Sequence, residues 1–394
     1  MTTLVGTGIS LKPNVQGAVQ EAIRAAQRPL GKVPASFGFV FAGPERDLTA
    51  VLSVARELSG CANLVASSTA GEFSERGLMH GGVVVMLVAS SDTTCRSAFA
   101  TGLKEDHRNA ALSLFKGLVE ARHAAASKNH KNLTTVLLTD GLAGKGEDLV
   151  LELFERGQST MQIVGGAAGD EGAFKETQVG CGTRAAPNAA AAIHIFSAKP
   201  WGVGVGHGLR ATTKPVRVTK ANGNVVHEIN NAPAFEIYKH HAAARGVHLN
   251  ASNAGSYMIA NELGIHFFDK VSRARAPLSV GTTGSLTCAA AIPEGAMVSV
   301  LDGDPDSMVE AAASAAQEAQ EHLQGAKAAG VLLFDCVCRG MILKDGFQRE
   351  IDAVRKVFGD VPVAGFLTYG EIARYRGRLD GWHNTTAVVA AIPG

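Results

Sequence analysis

Near its C-terminal end the sequence gathers groups able to hold a small polar molecule. FDCVCR at 334–339 supplies a thiol and a guanidinium in Cys336 and Arg339, and LTYGE at 367–371 supplies Thr368, Tyr369, Gly370 and Glu371. An arginine binds carboxylate through paired N–H groups, a glutamate binds an ammonium, and hydroxyls add hydrogen bonds. His383 and Asn384 precede the last apolar strand and join the same set. Together they suit a ligand with both an amino and a carboxylate group, Arg339 on its anionic end and Glu371 on its cationic end. The alternative is structural: Arg339 and Glu371 pair with each other at a strand edge.

For these side chains to meet, the strands that carry them must end on one edge of a sheet. Strands joined by a helix run parallel with a right-handed crossover, and ligands collect at their carboxyl ends. Strand 330–335 ends at Asp335–Arg339 and strand 361–368 ends at Thr368–Glu371, so both tails are expected on one edge.

The same pair of tails recurs. GFVFAG at 38–43 matches VLLTDG at 136–141, and STAGEF at 68–73 matches GAAGDE at 166–171, both displaced by 98 residues. VLLFDC at 331–336 and LTYGEI at 367–372 form a third copy. Each copy reads as strand, long helix, strand, shorter helix, strand ending in Gly-acid, and a final strand. The first spans about 3–93 and the second about 94–199; the third is expected at 296–394, opening with the strand AMVSVL at 296–301 and an N-cap at Asp304-Pro305. Residues 201–295 break the pattern, with a turn at Asn222-Gly223-Asn224 between two strands and a helix near 232–245. The fold class expected is mixed α/β: repeated strand-helix units forming helix-flanked mixed sheets in two domains, 1–200 and 201–394.

No basic residue replaces Arg339 in the first two copies, where the edge carries Gly43 with Glu72 and Asp140-Gly141 with Asp170, so the third copy is the best ligand site. The glycine string at 202–208 has period two, which puts glycines on one strand face instead of forming a dinucleotide loop. No Walker A, H-E-x-x-H or G-x-S-x-G motif occurs.

Thirty-seven Lys and Arg against 36 Asp and Glu, without runs of one sign, leave no electrostatic footprint for nucleic acid. The N-terminal residues have no signal-peptide pattern and no apolar stretch is long enough to span a bilayer, so a cytoplasmic protein without membrane insertion is expected. Six cysteines in 394 residues, without a Cys-x-x-Cys pair, read as reduced thiols with no metal site. Among 13 histidines, His240 and His241 lie on different helix faces and no metal pair is formed.

FDCVCRGM at 334–341, Glu350, VPVAGFLTYGEI at 361–372 and HNTTAVV at 383–389 resemble the C-terminal domain of the FIST family of intracellular signal-transduction proteins. SSTAGEF at 67–73 and GGVVVML at 81–87 are similar to its N-terminal domain. The resemblance implies a non-enzymatic sensor that binds a small ligand, an amino acid or related metabolite, and signals through a partner. With no kinase, cyclase or methyl-accepting domain in the sequence, the partner is expected to be a separate protein. Two alternatives stay open. One, implied by the resemblance, is a haem b protein that senses nitric oxide and regulates a histidine kinase; no spacing signature identifies an axial ligand. The other is an enzyme that uses Cys336 or a strand-end threonine such as Thr69 or Thr368.

Overall fold

Buried β-branched strands alternate with one-faced helices in the sequence, and the computed structural model, which describes residues 3–157, 161–267, 270–375 and 381–394, folds them into three six-stranded sheets with helices on their outer faces and a fourth, nine-stranded sheet. The first unit runs β1 (Leu4–Ser10), α1 (Val15–Gln27), β2 (Phe37–Ala42), α2 (Leu48–Ser59), β3 (Leu64–Ser68), β4 (Glu72–Ser74), β5 (Gly77–Met79) and β6 (Val83–Ala89). The second repeats it as β7 (Thr93–Thr101), α3 (His107–Ala126), β8 (Asn132–Thr139), α4 (Gly146–Arg156), β9 (Gln162–Ala167), β10 (Val179–Cys181), β11 (Arg184–Ala186) and β12 (Ala189–Ser197).

The third unit opens earlier than expected, with β13 (Gly202–Gly206). An inserted module follows: β14 (Arg210–Ala211), β15 (Val216–Asn222), β16 (Val225–Ile229), β17 (Ala232–Pro233), α5 (Glu236–Ala243), α6 (Ala254–Ala260), β18 (Leu263–Phe267), β19 (Lys270–Arg275), β20 (Pro277–Val280), β21 (Leu286–Cys288) and β22 (Met297–Asp302). The unit then resumes with α7 (Pro305–His322), β23 (Ala328–Cys336), α8 (Val337–Leu343), α9 (Gln348–Phe358), β24 (Val363–Thr368), β25 (Glu371–Arg374), β26 (Trp382–His383) and β27 (Ala387–Pro393). Asp304 caps α7 through the N–H groups of Asp306 and Ser307, as its position before Pro305 suggested.

In each unit the sheet order is first, last, second, third strand: β1-β6-β2-β3, β7-β12-β8-β9 and β13-β27-β23-β24. The second and third strands are parallel in every copy. Each sheet is completed by a hairpin from a different unit. The second unit's β10 and β11 extend the first sheet beyond β3, the third unit's β25 and β26 extend the second beyond β9, and the first unit's β4 and β5 extend the third beyond β24. The exchange therefore closes a ring of three.

One apolar cluster fills the centre of that ring, with Phe39, Phe41 and Met86 from the first sheet, Leu138 and Ile193 from the second, and Phe334, Phe366 and Val388 from the third. The rings of Phe41 and Phe366 lie 4.8 Å apart across it. The opposite sheet faces pack against their own helices in separate clusters.

The strand at 296–301, expected to open the third unit, is β22 and pairs instead with β15 and β18 in a nine-stranded sheet of the inserted module, counted among the described residues. The edge beside β27 belongs to β13, the glycine string. A Cβ on Gly204 would stand 1.9 Å from the carbonyl oxygen of Ala315, so glycine at every second position is what lets α7 lie directly on the strand. Insertion of the module between strand and helix separates the two in sequence without separating them in space. No described helix is long and apolar enough to cross a membrane.

Candidate functional site

At the strand ends of the first and third units, the acid of the Gly-acid turn is a structural clasp. In the first unit Thr69 Oγ1 donates to Glu72 Oε2 at 2.6 Å, and the Gly82 N–H donates to the other carboxyl oxygen. In the third unit Thr368 Oγ1 donates to Glu371 Oε1 at 2.6 Å and the Thr386 N–H to Oε2 at 3.1 Å. Both glutamates are fully buried. Burial pushes the Glu72 carboxyl up to about 7. Glu371 is pushed well above the ordinary carboxyl range, by burial first and then by Cys336 beside it. The second unit has Ala167 at the threonine position, and there Asp140 takes the corresponding Asn188 N–H and the Thr177 hydroxyl.

Arg339 does not face a pocket and does not meet Glu371. Its guanidinium is fully buried, with Nε 3.0 Å from Asp335 Oδ1 and a hydrogen-bonded pair to Glu350. It also donates to the carbonyls of His207 at 2.8 Å and Met308 at 2.9 Å, so it ties α8 to α9, α7 and the end of β13. The role foreseen for it, holding a ligand's anion, is taken up by these internal acceptors.

Cys336, Thr368, Glu371, His383 and Asn384 are all buried at this edge. His383 Nε2 lies 3.1 Å from the Ala373 carbonyl, and Cys336 Sγ lies 4.0 Å from Thr385 Oγ1. Burial raises the Cys336 thiol well above the ordinary range, the opposite of what an activated nucleophile needs. Two members of the cluster were not anticipated. Thr385, at φ 51°, donates its hydroxyl to Glu262, which stands just before β18 in the inserted module, and burial raises Glu262 to about 8. Glu262 belongs to no motif; Thr385 lay within HNTT without drawing notice.

Tyr369 turns the other way. Its hydroxyl donates to Asp170 and accepts from the Gly172 N–H at 2.8 Å, and its ring stacks on Phe174 at 4.7 Å. Burial works to raise Asp170, but this phenol and the N–H groups of residues 174–176 outweigh it and hold the carboxyl below its ordinary value.

Beside Tyr369 opens a cleft of about 370 Å³, where the second unit, the third unit and the inserted module meet. The loop leading into α4, with the helix's first turn through Asp148, forms one wall, Asn224 and residues 289–291 of the module another, and Tyr369 and Trp382 a third. Lys145 lies in the loop wall with Nζ 3.0 Å from Asp148, and Glu147 accepts from Arg275 Nη2 at 3.2 Å. Arg275, itself fully buried, also donates to the carbonyls of Ala291 and Trp382, and so fastens the module to both neighbouring units. The cleft thus offers a cation, carboxylates, a carboxamide and two aromatic faces within one concave surface.

Two family models match the chain: one for the FIST N domain over residues 36–232 and one for the FIST C domain over 234–374. No curated protein matches it. Among solved structures it is similar to a cyanuric acid hydrolase from A. caulinodans, at 8% identity with both chains fully covered and a TM-score of 0.32. Phosphoribosylformylglycinamidine synthase II from Thermotoga maritima follows at 8% identity and a TM-score of 0.24, covering 99% of this chain and 72% of that one. PurLQS from the same organism has 10% identity and a TM-score of 0.23, with 99% and 73% covered. Structural likeness at these scores carries no argument about function.

Proposed function

We propose, from the premise that this chain belongs to the FIST family through both of its domains, that it is a sensory protein whose small polar ligand binds in the cleft beside Tyr369 and Trp382. The single observation that carries this reading is the cleft itself, because it is walled by three parts of the chain that a ligand would hold in one arrangement. Its chemistry favours a zwitterion such as an amino acid. Lys145 and the first-turn N–H groups of α4 suit a carboxylate, while Glu147 and Asp148 suit an ammonium. Trp382 and Tyr369 supply the apolar contact.

The transfer of the signal follows from the same walls. Arg275 connects the module to Glu147 and to the Trp382 carbonyl, so occupancy of the cleft bears on how the module sits on the ring. Output then passes to a cytoplasmic partner such as a histidine kinase. The haem alternative gains no axial ligand here, because no histidine lines the cleft. The buried rings of His194, His241 and His383 are engaged in hydrogen bonds.

Thermal unfolding in the presence of amino acids and small carboxylates tests the reading. A ligand at 100 times its Kd stabilises the native state by about 2.7 kcal/mol, and Lys145→Ala is expected to remove that gain. A stabilising ligand indifferent to Lys145→Ala and Trp382→Ala would place the site elsewhere.

A further inference from the structure

The repeats provide an internal control for the outer surface of the ring. The helices α1 and α2, which cover the first sheet, and α7 and α9, which cover the third, carry no large apolar side chain exposed to solvent. The second sheet differs. On α3 Leu112 is 41% exposed and Val119 37%, with half-buried Phe115 between them, and on α4 Leu151 is 44% exposed. Positions 112, 115 and 119 share one helix face and form a continuous apolar stripe. Matching the buried Ala121 and Ala125 of α3 to Ala22 and Ala26 of α1 puts Gln20 where the second unit has Val119. Matching Leu149, Val150 and Leu153 of α4 to Val51, Leu52 and Ala55 of α2 puts Ser53 where it has Leu151.

Charge on this face is divided between the two helices. Beside its stripe α3 presents Arg108, Lys116 and Arg122, with Glu120 on the flank away from α4, whereas α4 presents Asp148, Glu152 and Glu155. Glu152 is engaged by Arg156 and Arg108, but Lys116, Arg122 and Glu155 have no ion-pair partner among the described residues. The helices join β7 to β8 and β8 to β9, which are all parallel, so they run in the same direction. The contact between Arg108 Nε and Glu152 Oε2, at 3.9 Å, sets them side by side.

Two kinds of two-fold axis can lay this face on a second copy. An axis across the helices puts α3 on α3 and α4 on α4, cation against cation and acid against acid. An axis along the groove between them puts each α3 on the other copy's α4, which joins opposite charges and makes every contact twice, as an isologous interface requires. To within one helical turn, it brings Lys116 to Glu155, Arg108 to Asp148 and Leu112 to Leu151 of the other copy.

We propose that the chain associates with a second copy of itself through this face, α3 of each protomer lying on α4 of the other. The face is modest. Its helices, of 20 and 11 residues, extend about 30 Å and about 16 Å, which is less than the roughly 800 Å² per partner of a standard interface calls for, so micromolar affinity is expected. Asp148, in the first turn of α4, also lines the cleft, so one helix carries both the contact and a wall of the ligand site.

Sedimentation velocity of the full chain between about 1 and 200 µM tests this, and a monomer–dimer equilibrium with a Kd of about 1–50 µM is expected. Raising the salt from about 0.1 to 0.5 M should weaken it several-fold. Lys116→Glu and Glu155→Lys each set like charges against each other at both contacts and should weaken association at least tenfold. Mixing the two variants pairs opposite charges again at both contacts and should restore a dimer of parental affinity. Val119→Gln with Leu151→Ser, the first unit's residues, should also weaken association at least tenfold. All four positions are exposed, so the monomers should melt as the parent does. A protein that stays monomeric at about 200 µM leaves this face to some other molecule and overturns the proposal. So does a dimer indifferent to both charge reversals, or a mixture of the two variants that does not associate.

Discussion

Trp382 lies across Gly146, with its indole edge 2.1 Å from where a Cβ on that glycine would stand. A hairpin of the third unit is thereby seated on the first turn of a second-unit helix, and the aromatic wall of the cleft depends on a missing side chain. Gly146→Ala must displace the indole. The expected cost is about 1–3 kcal/mol in urea unfolding, as for other insertions of a methyl into a packed contact, together with weaker ligand binding in the cleft.

Arg339 is held to be structural. Among the described residues Arg339 is the one guanidinium paired with buried Asp335 and Glu350, and Arg339→Met leaves both uncompensated. The loss expected is roughly 3–5 kcal/mol in denaturant unfolding. The folded fraction should keep its affinity for the cleft ligand; a variant of normal stability that no longer binds would return Arg339 to the ligand.

Glu72 gives a pH signature of definite sign. Its carboxyl is pushed up to about 7 by burial, from an ordinary value of 4.5. Between those values the folded state keeps a proton that the unfolded state has lost, so stability falls as pH rises from about 4.5 to 7. The shift corresponds to roughly 3 kcal/mol at neutral pH. Glu72→Gln has no such proton, and its melting temperature relative to the parent protein should be clearly higher at pH 7 than at pH 4.5. A constant difference across that range would contradict the account.

Much of the ring was legible because its strands are strongly apolar and their Gly-acid ends fall at matching intervals. The parallel pairing of strands 37–42 and 64–68, and its two repeats, followed directly. The exchanged hairpins did not, since strands such as Glu72–Ser74 and Val179–Cys181 are three residues long and show no periodicity. Gly202–Gly206 was read as a strand face but not as the opening strand of the third unit, because about 95 residues of insertion separate it from the helix whose backbone explains its glycines. At the site, sequence brought Cys336, Thr368, Glu371 and Asn384 to one edge. It could not reveal that Arg339 is answered by Asp335 from the end of β23 and by Glu350 from α9, or that Glu262 arrives from the module, since these partners lie on different elements.

The central claim is that a small zwitterion binds against Trp382, and tryptophan emission reads that contact directly. The sequence has two tryptophans, and Trp201 lies in the central core at 1% exposure, so Trp201→Phe leaves Trp382 as the reporter. Titrating that variant with the amino acids that raise its melting temperature should give a saturable change in emission that is lost in Lys145→Ala. Stabilisation by a ligand with no change in Trp382 emission would contradict the account.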